Sequence, residues 1–210
     1  MILTVGNTKG GTGKSTLAVN LAIHRAKNHS VLLIDGDEQQ SALLFTQLRD
    51  QSDYTAVALT GSMLRSQAPK LAKNYDDVII DVGGRDTGSF RAALTITNVL
   101  IIPVQPRTFD VWAMDAVAKI VEEASAFNPS LRPYKLLSMA DVQGSENEAA
   151  IAALQDYPAI AYLDCPIRRR KVYTDGLAQG KGVAEVKPKN TKATAEFDAL
   201  VSKRYQGDTQ

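Results

Sequence analysis

The sequence has little cysteine and no long apolar run. Its one cysteine, Cys165, cannot form an internal disulfide or a cysteine-based metal cluster within one chain. We therefore expect a cytoplasmic protein. The apolar runs, of which Val99–Val104 is typical, are strand-sized and well short of the roughly 20 residues that cross a bilayer. We expect no stable membrane anchoring.

The chain also lacks an excess of either charge, with 24 Lys and Arg against 23 Asp and Glu. Any attraction to nucleic acid must therefore come from a local basic cluster. The first apolar segment is interrupted by a lysine at position 9, so we expect no signal peptide. Because 44% of the residues are hydrophobic, the chain can bury a full core, and we expect one domain from residue 1 to 210.

Short apolar segments recur along the chain and predict β-strands. They lie at Ile2–Val5, Val31–Ile34, Val78–Ile80, Val99–Val104, Lys135–Met139 and Ala159–Leu163. Their nearly continuous apolar character indicates strands that are covered on both faces, as in a parallel sheet. Segments of helical spacing lie between them, for example at Met114, Ala118 and Val121, and residues 192–205 predict a closing helix. This alternation predicts an α/β fold: a doubly wound, mostly parallel sheet with helices on both faces.

A glycine-rich segment follows the first predicted strand and precedes a predicted helix. From position 8 it reads Thr-Lys-Gly-Gly-Thr-Gly-Lys-Ser-Thr. This matches the phosphate-loop pattern Gly-x-x-x-x-Gly-Lys-Ser/Thr, except that Thr8 replaces the first glycine. The glycines let backbone N–H groups converge on phosphate oxygens at the positive end of the helix. The residues predicted to bind ATP are Lys9, Gly10, Gly11, Thr12, Gly13, Lys14, Ser15 and Thr16.

Several side chains have predicted roles in the chemistry of ATP. Lys14 bridges the terminal phosphates and neutralises charge during phosphoryl transfer. Ser15 offers its hydroxyl to a magnesium ion, and Thr16 contacts the next phosphate inward. Asp81 ends an apolar strand at the sheet edge that faces the phosphates, which suits a ligand of magnesium-bound water.

The loop sequence Lys-Gly-Gly-Thr-Gly-Lys-Ser resembles the deviant phosphate loop of the ParA/MinD ATPases. The resemblance implies that Lys9 reaches across an ATP-dependent homodimer to the phosphates bound by the other copy. The segment from Asp35 reads Asp-Gly-Asp-Glu-Gln and resembles the family's Asp-x-Asp-Pro-Gln switch, with Glu38 in place of proline. By that match Asp37 positions the attacking water and Asp35 supports the magnesium shell. The predicted catalytic residues are thus Lys9, Lys14 and Asp37, and the predicted metal-binding residues are Ser15, Asp35 and Asp81.

Further stretches extend the resemblance over most of the chain. Residues 100–110 are similar to the strand and loop that follow the switch in plasmid-partition ParA proteins, and residues 170–185 are similar to a C-terminal motif of that family. Residues 83–86 depart from it, because they read Gly-Gly-Arg-Asp where relatives have a threonine and prolines. We expect a flexible loop there that can still sense the γ-phosphate.

The densest basic run of the sequence consists of Arg168, Arg169, Arg170 and Lys171. In ParA dimers comparable residues bind DNA phosphates irrespective of sequence, so the resemblance implies DNA binding here. The alternative is a solvated basic helix face without a ligand. No helix-turn-helix segment precedes the first predicted strand, so we do not expect the chain to read DNA sequence.

The resemblance implies a slow, switch-like ATPase that segregates a plasmid or a chromosome. Mg-ATP would drive dimerisation and DNA binding, with the dimer on the nucleoid, and a centromere-binding ParB-like adaptor would stimulate hydrolysis. The alternative is a MinD-like positioning ATPase at a membrane or on the division machinery. An iron–sulfur carrier with this loop would need paired cysteines, and a small-molecule synthetase would show a substrate pocket and activity without DNA.

Overall fold

The computed structural model describes residues 1–50, 53–84, 87–143 and 145–205. The strands in these ranges are β1 (Ile2–Gly6), β2 (Val31–Asp35), β3 (Thr55–Ala58), β4 (Asp77–Val82), β5 (Val99–Val104), β6 (Arg132–Ala140), β7 (Ala161–Tyr162) and β8 (Ile167–Arg168). The helices are α1 (Lys14–Ala26), α2 (Ser41–Gln47), α3 (Gly61–Leu71), α4 (Thr87–Leu94), α5 (Thr108–Trp112), α6 (Met114–Phe127), α7 (Glu146–Leu154), α8 (Lys171–Leu177) and α9 (Thr191–Tyr205).

The strands form a parallel sheet in the order β3-β2-β4-β1-β5-β6-β7, with β8 paired to β6. The chain first places β2, β3 and β4 on one side of β1 and then β5, β6 and β7 on the other. Ligands of open α/β sheets bind at the carboxyl ends of the strands, where the strand order reverses. The loop after β1 therefore lies at the expected binding position.

Helices cover both faces of the sheet, because successive side chains of each buried strand enter opposite cores. Leu33 of β2 packs in one core with Leu21 of α1 and Phe197 of α9. Its neighbour Ile34 packs in the other core with Phe90 of α4. The doubly wound architecture predicted from the sequence is confirmed.

The predicted strands and closing helix are confirmed with changed bounds. The strand predicted at Ala159–Leu163 forms only at Ala161–Tyr162. β3 and β8 lie outside the predicted strands, because four and two residues are too few to show a hydrophobic period. No helix of the described residues is long and apolar enough to span a bilayer.

Candidate functional site

The loop between β1 and α1 has an open backbone at the carboxyl edge of the sheet. Gly11 and Gly13 have φ angles of 76° and 87°, a region that side chains with a Cβ rarely adopt. Among the described atoms, none lies within 4 Å of the position that a Cβ would take on Gly10 or Gly11. Helix α1 begins immediately after the loop, at Lys14. An anion can therefore approach the loop backbone at the positive end of a helix.

Lys14, the first residue of α1, borders this loop and has only 7% of its surface exposed. Its ammonium Nζ donates a hydrogen bond to the carbonyl oxygen of Lys9 at 2.8 Å. Burial lowers the pKa of Lys14, and the charges of Asp81 and Asp37 oppose that shift. The site thus brings the ammonium of Lys14 close enough to the carboxylates of Asp81 and Asp37 for their charges to interact. A metal-bound polyphosphate needs both kinds of charge, a cation beside its phosphates and carboxylates beside its metal.

Lys9 is half-buried at the start of the loop and is anchored through its backbone. Its N–H donates to Oδ1 of Asn7 at 2.9 Å, and Nδ2 of Asn7 donates to the carbonyl oxygen of Pro103 in β5 at 2.8 Å. The side chain of Lys9 acts on Asp110: burial raises the pKa of this carboxyl, and the charge of Lys9 opposes the rise. Among the described residues, Oδ1 of Asp110 has no hydrogen-bond partner. Sequence reasoning missed this buried counter-charge.

Asp81 is a buried carboxylate without a full set of partners. Burial raises its pKa to about 7, and the hydroxyl of Ser15 is the strongest of the groups that lower it. Neither carboxylate oxygen has a partner at full hydrogen-bond geometry within the described residues. An unsatisfied carboxylate next to a hydroxyl at the foot of the phosphate loop fits a cation or its bound water.

Asp35 of β2 pairs in register with Asp81 of the adjacent strand β4. Unlike those of Asp81, both carboxylate oxygens of Asp35 accept hydrogen bonds from the backbone. Oδ1 accepts a hydrogen bond from the N–H of Asp37 at 3.1 Å, and Oδ2 accepts one from the N–H of Leu43 at 2.9 Å. Burial raises the pKa of Asp35, while these backbone donors lower it. Asp35 therefore holds the loop that leads into α2, and it can act on a metal through water.

The predicted metal-binding residues Ser15, Asp35 and Asp81 lie together, with Asp81 acted on by both of the others. In the part of the chain that the structure describes, no three His, Cys, Asp or Glu side chains form a metal-binding group. Mg2+ commonly keeps several waters and takes one or two protein oxygens plus substrate phosphates. The residues therefore fit a magnesium ion that arrives with a nucleotide.

The loop after β4 touches both the phosphate loop and Asp37. A Cβ on Gly84 would stand 2.8 Å from the carbonyl carbon of Lys9, and a Cβ on Gly83 would overlap the carboxylate of Asp37. At Gly84 the near atoms are backbone, so only glycine allows this approach, whereas a side chain at position 83 would displace the carboxylate of Asp37. The departure from the family pattern at residues 83 and 84 is thus a tight contact, while Arg85 and Asp86 lie outside the described residues.

A cavity of about 160 Å³ adjoins the phosphate loop. Gly13 and Thr16 line it on one side. Met139, near the carboxyl end of β6, and Tyr173, in the first turn of α8, also line it. Met139 has a φ of 52°, and such strained non-glycine conformations cluster at binding sites. The hydroxyl of Tyr173 has no hydrogen-bond partner among the described residues. The cavity is placed to take the nucleoside of a nucleotide whose phosphates lie in the loop.

Residues 3–209 match the family model described as the CobQ/CobB/MinD/ParA nucleotide binding domain. The chain belongs to this family. Similar curated proteins include the "Maintenance of carboxysome distribution protein A" of Halothiobacillus neapolitanus, 24% identical over 204 residues that cover 95% of this chain and 94% of the relative. Protein ParA of Rhizobium radiobacter is 22% identical over 205 residues, which cover 94% and 91%. The ATP complex of a McdA variant from Cyanothece has a similar fold, with a TM-score of 0.79, 20% identity and coverage of 100% and 97%.

In this CobQ/CobB/MinD/ParA domain three of the four predicted DNA-binding residues precede α8 and only Lys171 lies in it, so the alternative of a basic helix face that carries all four is wrong. Arg168 ends β8, Arg170 has extended φ and ψ angles of −135° and 135°, and α8 begins only at Lys171. Side chains of an extended segment alternate. Arg168 and Arg170 turn inward and pair with Glu196 of α9, at 3.0 and 2.5 Å. Arg169 and Lys171 are exposed.

Two residues that the sequence analysis also missed, Glu196 and Gln105, connect segments of the site that are distant in the sequence. Glu196 accepts hydrogen bonds from two arginines of the cavity wall. Gln105, after β5, donates from Nε2 to the carbonyl oxygen of Gly11 at 2.6 Å. Each partner lies far away in the sequence, so no local pattern indicates these contacts.

Proposed function

We propose that this chain is an ATPase switch of the ParA/MinD type. Mg-ATP would convert it into a dimer that binds DNA irrespective of sequence, and a ParB-like adaptor would stimulate slow hydrolysis and release. The observation that carries the proposal is the meeting of Lys9, Lys14 and the unsatisfied Asp81 around an open phosphate loop. A loop that only capped a helix would need neither buried cation nor buried carboxylate.

In this proposal the loop N–H groups hold the phosphates and the cavity beside Met139 holds the nucleoside. Magnesium would be held by the hydroxyl of Ser15 and near Asp81, and when bound it neutralises charge on the phosphates. Lys14 stays beside the terminal phosphates because burial confines its ammonium. Asp37 orients the attacking water, and the turn that presents it is fixed by the N–H of Gln39, which donates to Oδ1 at 3.0 Å.

The proposal is tested by measuring DNA binding with ATP, with ADP and without nucleotide. We expect binding only with ATP and with equal affinity for unrelated duplexes, because phosphate contacts carry no sequence information. Equal retention of DNA with ADP and ATP would contradict an ATP switch.

Replacing Lys9 with Ala is expected to leave a monomer in saturating Mg-ATP, as measured by light scattering. ATP affinity should change by no more than a few-fold, because Lys14 is retained. Lys27→Ala removes an exposed lysine just after α1 and serves as the control. If Lys9→Ala still dimerises like the control, Lys9 has no cross-dimer role.

The double substitution Arg169→Glu and Lys171→Glu is expected to weaken ATP-dependent DNA binding by tenfold or more, to a similar extent for every sequence. Because both copies of the proposed dimer carry the two substitutions, loss of about four phosphate contacts should also lower the salt slope of the affinity by about 3.6. The matched control is Lys70→Glu with Lys73→Glu, an exposed pair at the end of α3 and just after it that changes net charge equally. Equal DNA binding by the two double variants would show that the outward basic pair is not the interface. Arg168 and Arg170 are left unchanged because Glu196 already occupies them.

A second candidate function differs from the first in the object that the ATPase positions. A relative that covers 95% of the chain is named for maintenance of carboxysome distribution, which favours the positioning of a protein body in place of a DNA replicon. Deletion of the gene in its host would separate the two, since plasmid loss supports segregation and a misplaced protein body supports positioning. The MinD-like membrane alternative has less support, because Phe197, Leu200 and Val201 of α9 are buried against the body and offer lipid no apolar face.

A further inference from the structure

Gln105 connects two parts of the site that the sequence does not relate. It follows β5 and is partly exposed, and Nε2 donates to the carbonyl oxygen of Gly11 in the phosphate loop at 2.6 Å. Its other amide atom, Oε1, accepts from Nη2 of Arg169, the outward-facing arginine, at 3.4 Å. One side-chain amide thus contacts both the nucleotide loop and the basic segment.

The bond to Gly11 has a consequence for the next backbone donor. The peptide unit that joins Gly11 to Thr12 is planar and trans, so its carbonyl and its N–H point in opposite directions. Gln105 holds the carbonyl oxygen of Gly11 toward its own side chain. The N–H of Thr12 therefore points away from Gln105, and backbone N–H groups of such loops bind phosphate oxygens.

This peptide needs such a support. Gly11 is exposed, has a φ of 76° and has open space where a Cβ would stand, so no side chain restricts the peptide on its Gly11 side, whereas Thr12 on the other side is buried. The hydrogen bond from Gln105 therefore restrains the carbonyl side of the peptide plane. The weaker bond from Arg169 orients the amide of Gln105, so that its NH2 group faces Gly11.

We infer that Gln105 is a positioning residue that aims the Thr12 N–H at the ATP phosphates and couples the phosphate loop to Arg169. The second half rests on the proposed DNA-binding function. When ATP orders the phosphate loop, it also orders Gln105, and Gln105 in turn restrains the long side chain of Arg169. The other N–H donors of Arg169 remain available for DNA phosphates. By linkage, DNA that engages this restrained arginine favours ATP binding by the same factor.

The first test is the affinity for Mg-ATP, measured by calorimetry on the full chain with Gln105→Ala and Gln105→Met. Methionine keeps the length and volume of glutamine but has no N–H donor, so it separates positioning from packing. We expect both variants to bind ATP roughly three- to tenfold more weakly than the parent, with the midpoint of unfolding without nucleotide unchanged. Gln67→Ala, on an exposed face of α3, is the control and should bind ATP like the parent. Parent-like ATP affinity of Gln105→Met would overturn the positioning role.

The second test measures DNA binding of the same variants at saturating ATP and at saturating ADP. The gain in DNA affinity on replacing ADP by ATP should fall by roughly two- to tenfold in both Gln105 variants, since restraining a long side chain is worth about that factor. An unchanged gain would refute the coupling to Arg169. If the parent chain binds no DNA in either state, the proposed DNA function fails, while the ATP affinities still decide whether Gln105 positions the loop.

Discussion

Lys14→Ala is expected to bind Mg-ATP roughly 30-fold to 5000-fold more weakly than the parent chain, as measured by calorimetry. Removing one member of a buried, hydrogen-bonded charge pair typically costs about 2 to 5 kcal/mol of binding free energy. Lys14 is such a member, because its ammonium is buried in the loop and acted on by Asp81 and Asp37. No other ammonium donates to the carbonyl oxygen of Lys9 in the described residues, so none is in place to substitute for it.

The fold should tolerate this loss. Burial already disfavours the charged form of Lys14, so the nucleotide-free variant should unfold at or above the midpoint of the parent. Lys181→Ala, which removes an exposed ammonium whose hydrogen-bond partner among the described residues is Gln179, is the control for ATP affinity. If a folded Lys14→Ala variant binds ATP as tightly as the parent, this loop does not bind the phosphates of ATP.

Asp37→Ala is expected to lose hydrolysis while keeping ATP, and therefore to accumulate as an ATP-bound dimer. A positioned carboxylate that assists an attacking water contributes a factor of about 100 or more to the rate. The measurement is phosphate release at saturating ATP, together with the mass of the complex by light scattering. Affinity for ATP should stay within a few-fold, since Asp37 lies in the loop after β2 and, among the described residues, acts on the phosphate loop only through its charge on Lys14 and not through a hydrogen bond.

Two neighbouring variants sharpen this test. Asp37→Asn keeps the acceptor for the N–H of Gln39 and the contact with Gly83, so it changes the charge but not the turn. It should be nearly as slow as Asp37→Ala. Glu38→Ala removes the exposed carboxylate next in sequence and should hydrolyse ATP at the parent rate. If Asp37→Asn hydrolyses ATP at the parent rate, a residue other than Asp37 positions the attacking water.

The phosphate loop and the buried carboxylate of Asp81 in β4 could be predicted because their signals are local. The loop joins a strand directly to a helix, and its glycines and lysine lie within a few residues of one another. Asp81 ends a continuous apolar strand, and parallel strands bring their carboxyl ends to one edge. The closing helix was predictable for the same reason, since Phe197, Leu200 and Val201 show its buried face at helical spacing.

What escaped prediction depends on contacts between distant segments. The basic run from 168 to 171 carries no local mark that its first residue ends a strand paired with β6 or that a helix begins only at its last residue. The glycines at 83 and 84 suggest flexibility in the sequence, whereas the fold presses them against Asp37 and Lys9. Gln105 is separated from Gly11 by 94 positions, and the strand order that brings them together cannot be read from either segment.

The ion pairs of Glu196 with Arg168 and Arg170 also bear on how the chain matures during synthesis. One wall of the nucleoside cavity comes from these arginines, the other comes from the first loop of the chain, and the carboxylate that fixes the arginines is in α9. A ribosome-bound chain that has not yet released residue 196 can form the phosphate loop but not the finished cavity. We therefore expect tight nucleotide binding, and with it the proposed pairing with a second copy, to begin only after translation has passed α9.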